Sequence, residues 1–268
     1  MPTVPYWHVD AFADRPFAGN QAAVMLFDAW PEDRVLQAIG AENMFAETAF
    51  LVRDESGAAD WELRWFTPEV EIRLCGHATL ASGHVLLGME PERRSVRFRT
   101  RQAGVLEVRR LNAGSGAGYE LALPAIPVAP HAWPEASAAL GIAPQAIARN
   151  GDGYAVLLYR DEAEVRALSP DFAALGRLGA DLFIATAPGG NSDIVSRVFV
   201  PGAGVDEDSV TGSAHAVLTP FWAARLGRDS FTAYQASVRG GHLACRLEED
   251  RAWLGGDCVT VVEGTFRY

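Results

Sequence analysis

Two stretches of the chain repeat one pattern. "FTPEVEIRLCGHATLA" (66–81) and "FVPGAGVDEDSVTGSAHAV" (199–217) each run from a strand through F-x-P and a short loop to a small residue plus glycine that opens a helix. Cys75-Gly76 and Thr211-Gly212 hold matching places, the second loop being three residues longer. With the same strand–helix order on both sides, this predicts two similar halves, two helix starts and a cleft between two domains. A helix start offers free N–H groups and positive dipole charge. Two facing one cleft would grip an anion, with Gly76 and Gly212 allowing close approach and Thr211 and Ser213 adding hydroxyls. Glycines and hydroxyls also start helices for purely structural reasons, so that reading stays open.

The bulk numbers limit the partners. The 268 residues suit one large domain or two ordinary ones, and 49% hydrophobic with 21% charged residues is a globular composition. A net charge of −11 argues against nucleic acid and anionic membrane surfaces. No apolar run reaches the length of a membrane span, and the first residues lack a basic segment followed by an apolar one. Three scattered cysteines (Cys75, Cys245 and Cys258) with no C-x-x-C point to a reducing, cytoplasmic setting.

Periodicity predicts strands over 6–12, 21–27, 48–53, 59–66, 95–100, 104–110 and 118–124. It predicts helices over 31–43 and 76–87, the second amphipathic and stopped by Gly88. "PAIPVAPHAWPEA" (124–136) reads as a linker, and "AGSGAGY" (113–119) as a turn without phosphate-loop mechanics. Beyond it follow helices near 136–142 and 169–178, strands over 153–159, 181–187, 193–200 and 231–238, and a helix over 211–227 that Pro220 can bend. The expected division is residues 1–118 and 119–268, with the last strand able to return to the first domain.

"FAETAF" (45–50) places one carboxylate, Glu47, in an apolar island. As a strand residue it shares a face with Phe45, Ala49 and Leu51. Desolvation there would make it a usable acid and base, whereas the bland alternative is a glutamate on a half-exposed rim. Asp208, in "DED" before the second helix start, suits the helix dipole but is also near enough to Thr211 and Gly212 to accept from a ligand. His77, in the first turn after Cys75-Gly76, can donate to a carboxylate or shuttle a proton. His77 and His84 are seven apart, about 10 Å along a helix axis, too far to share an ion. Trp65, Phe66, Tyr234 and Gln235 are candidates for shaping specificity.

Taken together, "VDAFADRPFAGNQAAV" (9–24), "AETAF" (46–50), "RLCGHATLASGHVL" (73–86), "VDEDSVTGSAH" (205–215), "YQASVRGG" (234–241) and "GGDCVTVVEG" (255–264) resemble the phenazine-biosynthesis PhzF-like family, within the diaminopimelate-epimerase-like fold. The resemblance implies an α+β fold of two similar domains, each a mixed, largely antiparallel sheet around a central helix, with the active site in the interdomain cleft. It implies a homodimer, no organic cofactor and no metal. The chemistry implied is isomerisation of a small unsaturated carboxylic or amino acid by proton relocation. The proton-carrying glutamate falls on Glu47, the histidine and glycine of the first motif on His77 and Gly76, the aspartate on Asp208, and the carboxylate-holding residues on Gly212 and Ser213. Related two-base racemases carry a cysteine at each helix start. Cys75 matches the first, but Thr211 stands at the second, and a hydroxyl is far too weak an acid to replace a thiol. Cys75 with Glu47 as unequal bases of an epimerase, and a non-catalytic metabolite-binding protein, remain the alternatives.

Overall fold

The computed structural model describes residues 1–112 and 118–268. The 113–119 turn expected from sequence falls largely outside them. In chain order the elements are β1 (Thr3–Ala11), β2 (Asn20–Leu26), α1 (Asp33–Asn43), β3 (Glu47–Arg53), β4 (Trp61–Phe66), β5 (Glu71–Ile72), α2 (Gly76–Met89), β6 (Ser95–Thr100), β7 (Val105–Arg110) and β8 (Tyr119–Pro124). Then come β9 (Ala129–Pro130), α3 (Pro134–Leu140), β10 (Ala146–Arg149), β11 (Tyr154–Leu158), α4 (Glu162–Ala167), α5 (Phe172–Arg177), β12 (Leu182–Pro188) and β13 (Ile194–Val200). The last are β14 (Val205–Asp208), α6 (Gly212–Leu226), β15 (Ser230–Gln235), β16 (Gly241–Glu248), β17 (Arg251–Gly256) and β18 (Cys258–Arg267). The chain forms two compact units, Met1–Leu123 with Leu254–Tyr268, and Pro124–Trp253.

In the first unit β18, β1 and β2 pair antiparallel and β2 runs parallel to β3. The sheet continues antiparallel to β4, parallel to β6, and antiparallel through β7 to β8. It wraps α2, which packs on β1, β2, β3, β6 and β7. The sequence suggested an amphipathic helix, but eleven of the 14 residues of α2 are buried. A helix buried all round needs no polar face. Its small residues let the sheet approach closely: a Cβ added at Gly83 would lie 2.3 Å from Val108 Cγ1. Gly88 does not stop the helix, which runs one residue further and caps at Glu90. On the other sheet face, α1 buries Leu36 and Ile39 in a cluster with Met25, Phe50 and Phe66. With both faces covered, neighbouring residues of β4 are both buried: Trp65 and Phe66 are core residues.

The second unit repeats the plan. β9 to β11 are antiparallel, β11 and β12 parallel, β12 and β13 antiparallel, β13 and β15 parallel, and β15 and β16 antiparallel. Ten of the 15 residues of α6 are buried. Pro220 lies inside α6 without ending it. A proline there leaves the carbonyl four residues back, that of Ala216, without its helical donor, and the N–H of Ile126 takes its place at 3.1 Å. The expected linker 124–136 thus supplies a structural hydrogen bond, the short strand β9 and the start of α3. Both units show the expected α+β plan of a mixed sheet around a buried helix.

Candidate active site

Three elements of the first unit meet at one end of the sheet. Asn20 opens β2 and Glu47 opens the parallel β3, in register through Ala22 and Glu47. Cys75 is the extended N-cap of α2, with φ −137° and ψ 114°, and His77 stands in the first turn. Local chemistry sets that start: Thr79 Oγ1 donates to the carbonyl of Cys75 at 2.5 Å, and Ser82 Oγ to that of Ala78 at 2.7 Å.

Glu47 Oε2 lies 3.0 Å from His77 Nε2, with side-chain exposures of 16% and 4%. Both atoms are buried, yet the ring N–H is not aligned on the carboxylate, so neither atom has a proper hydrogen-bond partner. The pair is in charge contact and keeps hydrogen-bonding capacity for a guest. On the far side of the ring, Nδ1 lies 3.2 Å from Asn20 Nδ2 and 3.6 Å from Cys75 Sγ. Burial pushes the Cys75 thiol up to about 11, reinforced by the Glu47 carboxylate and opposed by His77. For His77 burial acts downward, while the anionic forms of Cys75 and Glu47 beside it act upward, and the balance lies well above the ordinary value.

Atoms of Glu47, Cys75 and His77 lie within 4.8 Å of one another, a donor set of the kind that holds a metal ion. The close approaches are to opposite ring nitrogens, however, Glu47 to Nε2 and Cys75 to Nδ1. An ion held here would use one ring nitrogen with the Glu47 oxygen and the Cys75 sulfur.

In the second unit Thr211 is likewise an extended N-cap, φ −110° and ψ 101°, whose side chain does not cap its helix. Its Oγ1 donates instead to Asp208 Oδ2 at 2.6 Å, and its N–H to Gln235 Oε1 at 2.8 Å. Gln235 Nε2 completes the loop by donating to the carbonyl of Asp208 at 2.8 Å. Asp208, Thr211 and Gln235 therefore form one fixed cluster beside buried Gly212 and half-buried Ser213.

The structure thus joins Glu47, Cys75, Gly76 and His77 in the first unit and Asp208, Thr211, Gly212 and Ser213 in the second. His84 belongs to neither group; its ring bridges Tyr119 Oη at 3.1 Å and Thr260 Oγ1 at 2.9 Å. Tyr234 stacks on His242 with ring centroids 4.6 Å apart. Sequence reasoning missed Asn20. The signal available was an asparagine directly after a glycine at a strand start, a place where an amide can be held buried.

A family model described as phenazine biosynthesis-like protein (PhzC-PhzF) matches residues 9–264. An uncharacterised isomerase of Pseudomonas aeruginosa is 48% identical over 265 residues, 98% of each chain. A human phenazine biosynthesis-like domain-containing protein is 34% identical over 287 residues, again 98% of each chain. Among solved structures, a PhzF-family phenazine biosynthesis protein from Enterococcus faecalis covers 100% of both chains, with a TM-score of 0.89 and 38% identity. A hydroxyproline epimerase from Agrobacterium vitis, 12% identical with a TM-score of 0.65 over 98% of this chain and 92% of that one, shares the fold alone. An acid/base cluster at a buried helix start, in a chain whose relatives carry the name of isomerases, accords with a match that runs almost end to end: the chain belongs to the phenazine biosynthesis-like PhzC-PhzF family.

Proposed function

We propose that the protein is a cofactor-independent isomerase that relocates a proton on a small unsaturated carboxylic or amino acid, with Glu47 as the acid/base. The observation that carries this reading is the buried, unaligned contact between Glu47 Oε2 and His77 Nε2 at 3.0 Å. Glu47 takes a proton from a carbon made acidic by neighbouring unsaturation and returns it to another carbon. His77 keeps positive character beside the carboxylate and orients a polar group of the substrate. Asp208 accepts from an amino or hydroxyl group. Gly76, Gly212 and Ser213 supply the donors that hold the substrate carboxylate, while Thr211, whose own donors are engaged by Asp208 and Gln235, fixes the cluster beside them.

Cys75 is unsuited to act as the base. Its thiol, pushed up to about 11, holds its proton at neutral pH. The test is a panel of unsaturated carboxylic and amino acids incubated in D2O and followed by NMR. Deuterium at a relocated position, lost in Glu47→Gln and kept in Cys75→Ala, supports the isomerase. Exchange that survives Glu47→Gln overturns it.

A further inference from the structure

We propose that Asn20 is a positioning residue that fixes which ring nitrogen of neutral His77 carries hydrogen, holding it on Nε2 towards Glu47. The inference rests on the reading of Glu47 and His77 as the reacting pair, and extends it to a residue of another strand.

The argument starts from what faces each nitrogen. Which nitrogen of an imidazole is protonated is set by the partner of the other one. Nδ1 meets the amide nitrogen of Asn20 at 3.2 Å, and an amide N–H can only donate. The second group near Nδ1 is the Cys75 thiol at 3.6 Å, whose S–H is also a donor. A nitrogen flanked by donors is the acceptor, so the hydrogen of the neutral ring sits on Nε2, 3.0 Å from the carboxylate. Glu47 then faces a ring N–H in both charge states. Nε2 is then never a bare lone pair competing for the proton Glu47 carries.

The approach to Asn20 is built for rigidity. Asn20 itself is 3% exposed. Ahead of it Gly19 has φ +62°, and a Cβ there would lie 2.2 Å from the carbonyl oxygen of Ala11, so no side chain fits. The loop is pinned by Asp10, 1% exposed, whose Oδ2 accepts the N–H of Phe17 at 2.8 Å. Phe12 and Phe17 hold positive φ within the same loop. Such conformations cost free energy and persist where the surroundings enforce them. Here they end at the amide that meets His77.

The test needs no substrate. The intact protein is labelled with 15N-histidine, and His77 is identified among six histidines by the signal lost in His77→Gln. Long-range 1H–15N correlation spectra of the neutral ring are then compared between wild type and Asn20→Asp. Aspartate has the shape of asparagine but, ionised, only accepts. The expected result is hydrogen on Nε2 in the wild type. In Asn20→Asp it moves to Nδ1, and the ring holds its second proton to a pH at least about one unit higher. Hydrogen on Nδ1 in the wild type overturns the proposal without any variant, and so does an Nε2-protonated ring unchanged in Asn20→Asp. The outcome is separable from the catalytic reading. A correct tautomer with no Glu47-dependent exchange on any compound sinks the isomerase and leaves the role of Asn20 standing.

Discussion

His215 Nδ1 donates to the carbonyl oxygen of Thr211 at 2.9 Å, the same service that Thr79 performs for Cys75 at the matching place in the first unit. Two chemically different side chains hold two equivalent helix starts. The histidine version makes one of them sensitive to acid. Burial pushes the His215 pKa down from 6.5 to about 4, opposed by the backbone hydrogen bond of Thr211. Between those values the unfolded chain binds a proton that the folded chain does not, so stability falls as pH drops through that window. The lost contribution is about 3 kcal/mol. Denaturant melts from pH 7 to 4 should show this slope in the wild type and a flatter one in His215→Thr. Equal slopes would remove His215 as the cause.

Cys75 should prove chemically quiet. With its thiol pushed up to about 11, about one molecule in ten thousand carries the thiolate at pH 7. Iodoacetamide at pH 7.5 should leave Cys75 unmodified in the native protein and label it after unfolding, as read by peptide mass spectrometry. Rapid native labelling would reopen the two-base epimerase.

Arg64 should matter for stability far more than its exposed counterparts. It is 3% exposed, grips Glu71 with two bonds of 2.8 and 2.7 Å, and bonds Asp33 of α1 at 2.8 Å. This ties the segment that leads into Cys75 to the body of the unit. Arg64→Met should cost about 2–3 kcal/mol. Arg34→Met, which breaks a pair exposed on both sides with Glu32, should cost less than about 0.5 kcal/mol. Comparable losses would mean that the Arg64 network contributes little.

Two glycines of α2 should respond to alanine with opposite signs. At Gly83 the new methyl meets Val108, whereas at Gly88 nothing lies within 4 Å. Gly83→Ala should destabilise by about 1–3 kcal/mol through overpacking. Gly88→Ala should stabilise by about 0.5–1 kcal/mol through helix propensity. Thermal melts of the two variants decide it.

What could be read before folding was whatever lies close along the chain. Cys75, Gly76 and His77 form one contiguous motif, and the repeat of strand, F-x-P and glycine-led helix announced α2 and α6. Glu47 stood out because a carboxylate among phenylalanines demands a partner. The identity of that partner depended on which strand ends lie side by side, and Asn20, 57 residues from His77, was invisible for the same reason. The burial of α2 was misjudged because alanine, glycine, serine and threonine leave no apolar stripe, although they are what close packing requires. Trp65 and Phe66 stood as candidates for shaping specificity, but β4 is covered on both sides and both are core residues. Gln235 stood as a candidate for shaping specificity, and its three bonds to Asp208 and Thr211 emerge only once β15 lies beside the start of α6.

The pairing of β1 with β18, from Thr3 with Arg267 to Ala11 with Cys258, sets an order of assembly during synthesis. The second unit is one unbroken length, Pro124–Trp253, and can collapse as soon as it leaves the ribosome. The first unit has to wait with one flank of its opening strand unzipped until some 250 further residues have emerged. Closing so long a loop is slow, and an open strand flank is a site for mispairing between nascent chains.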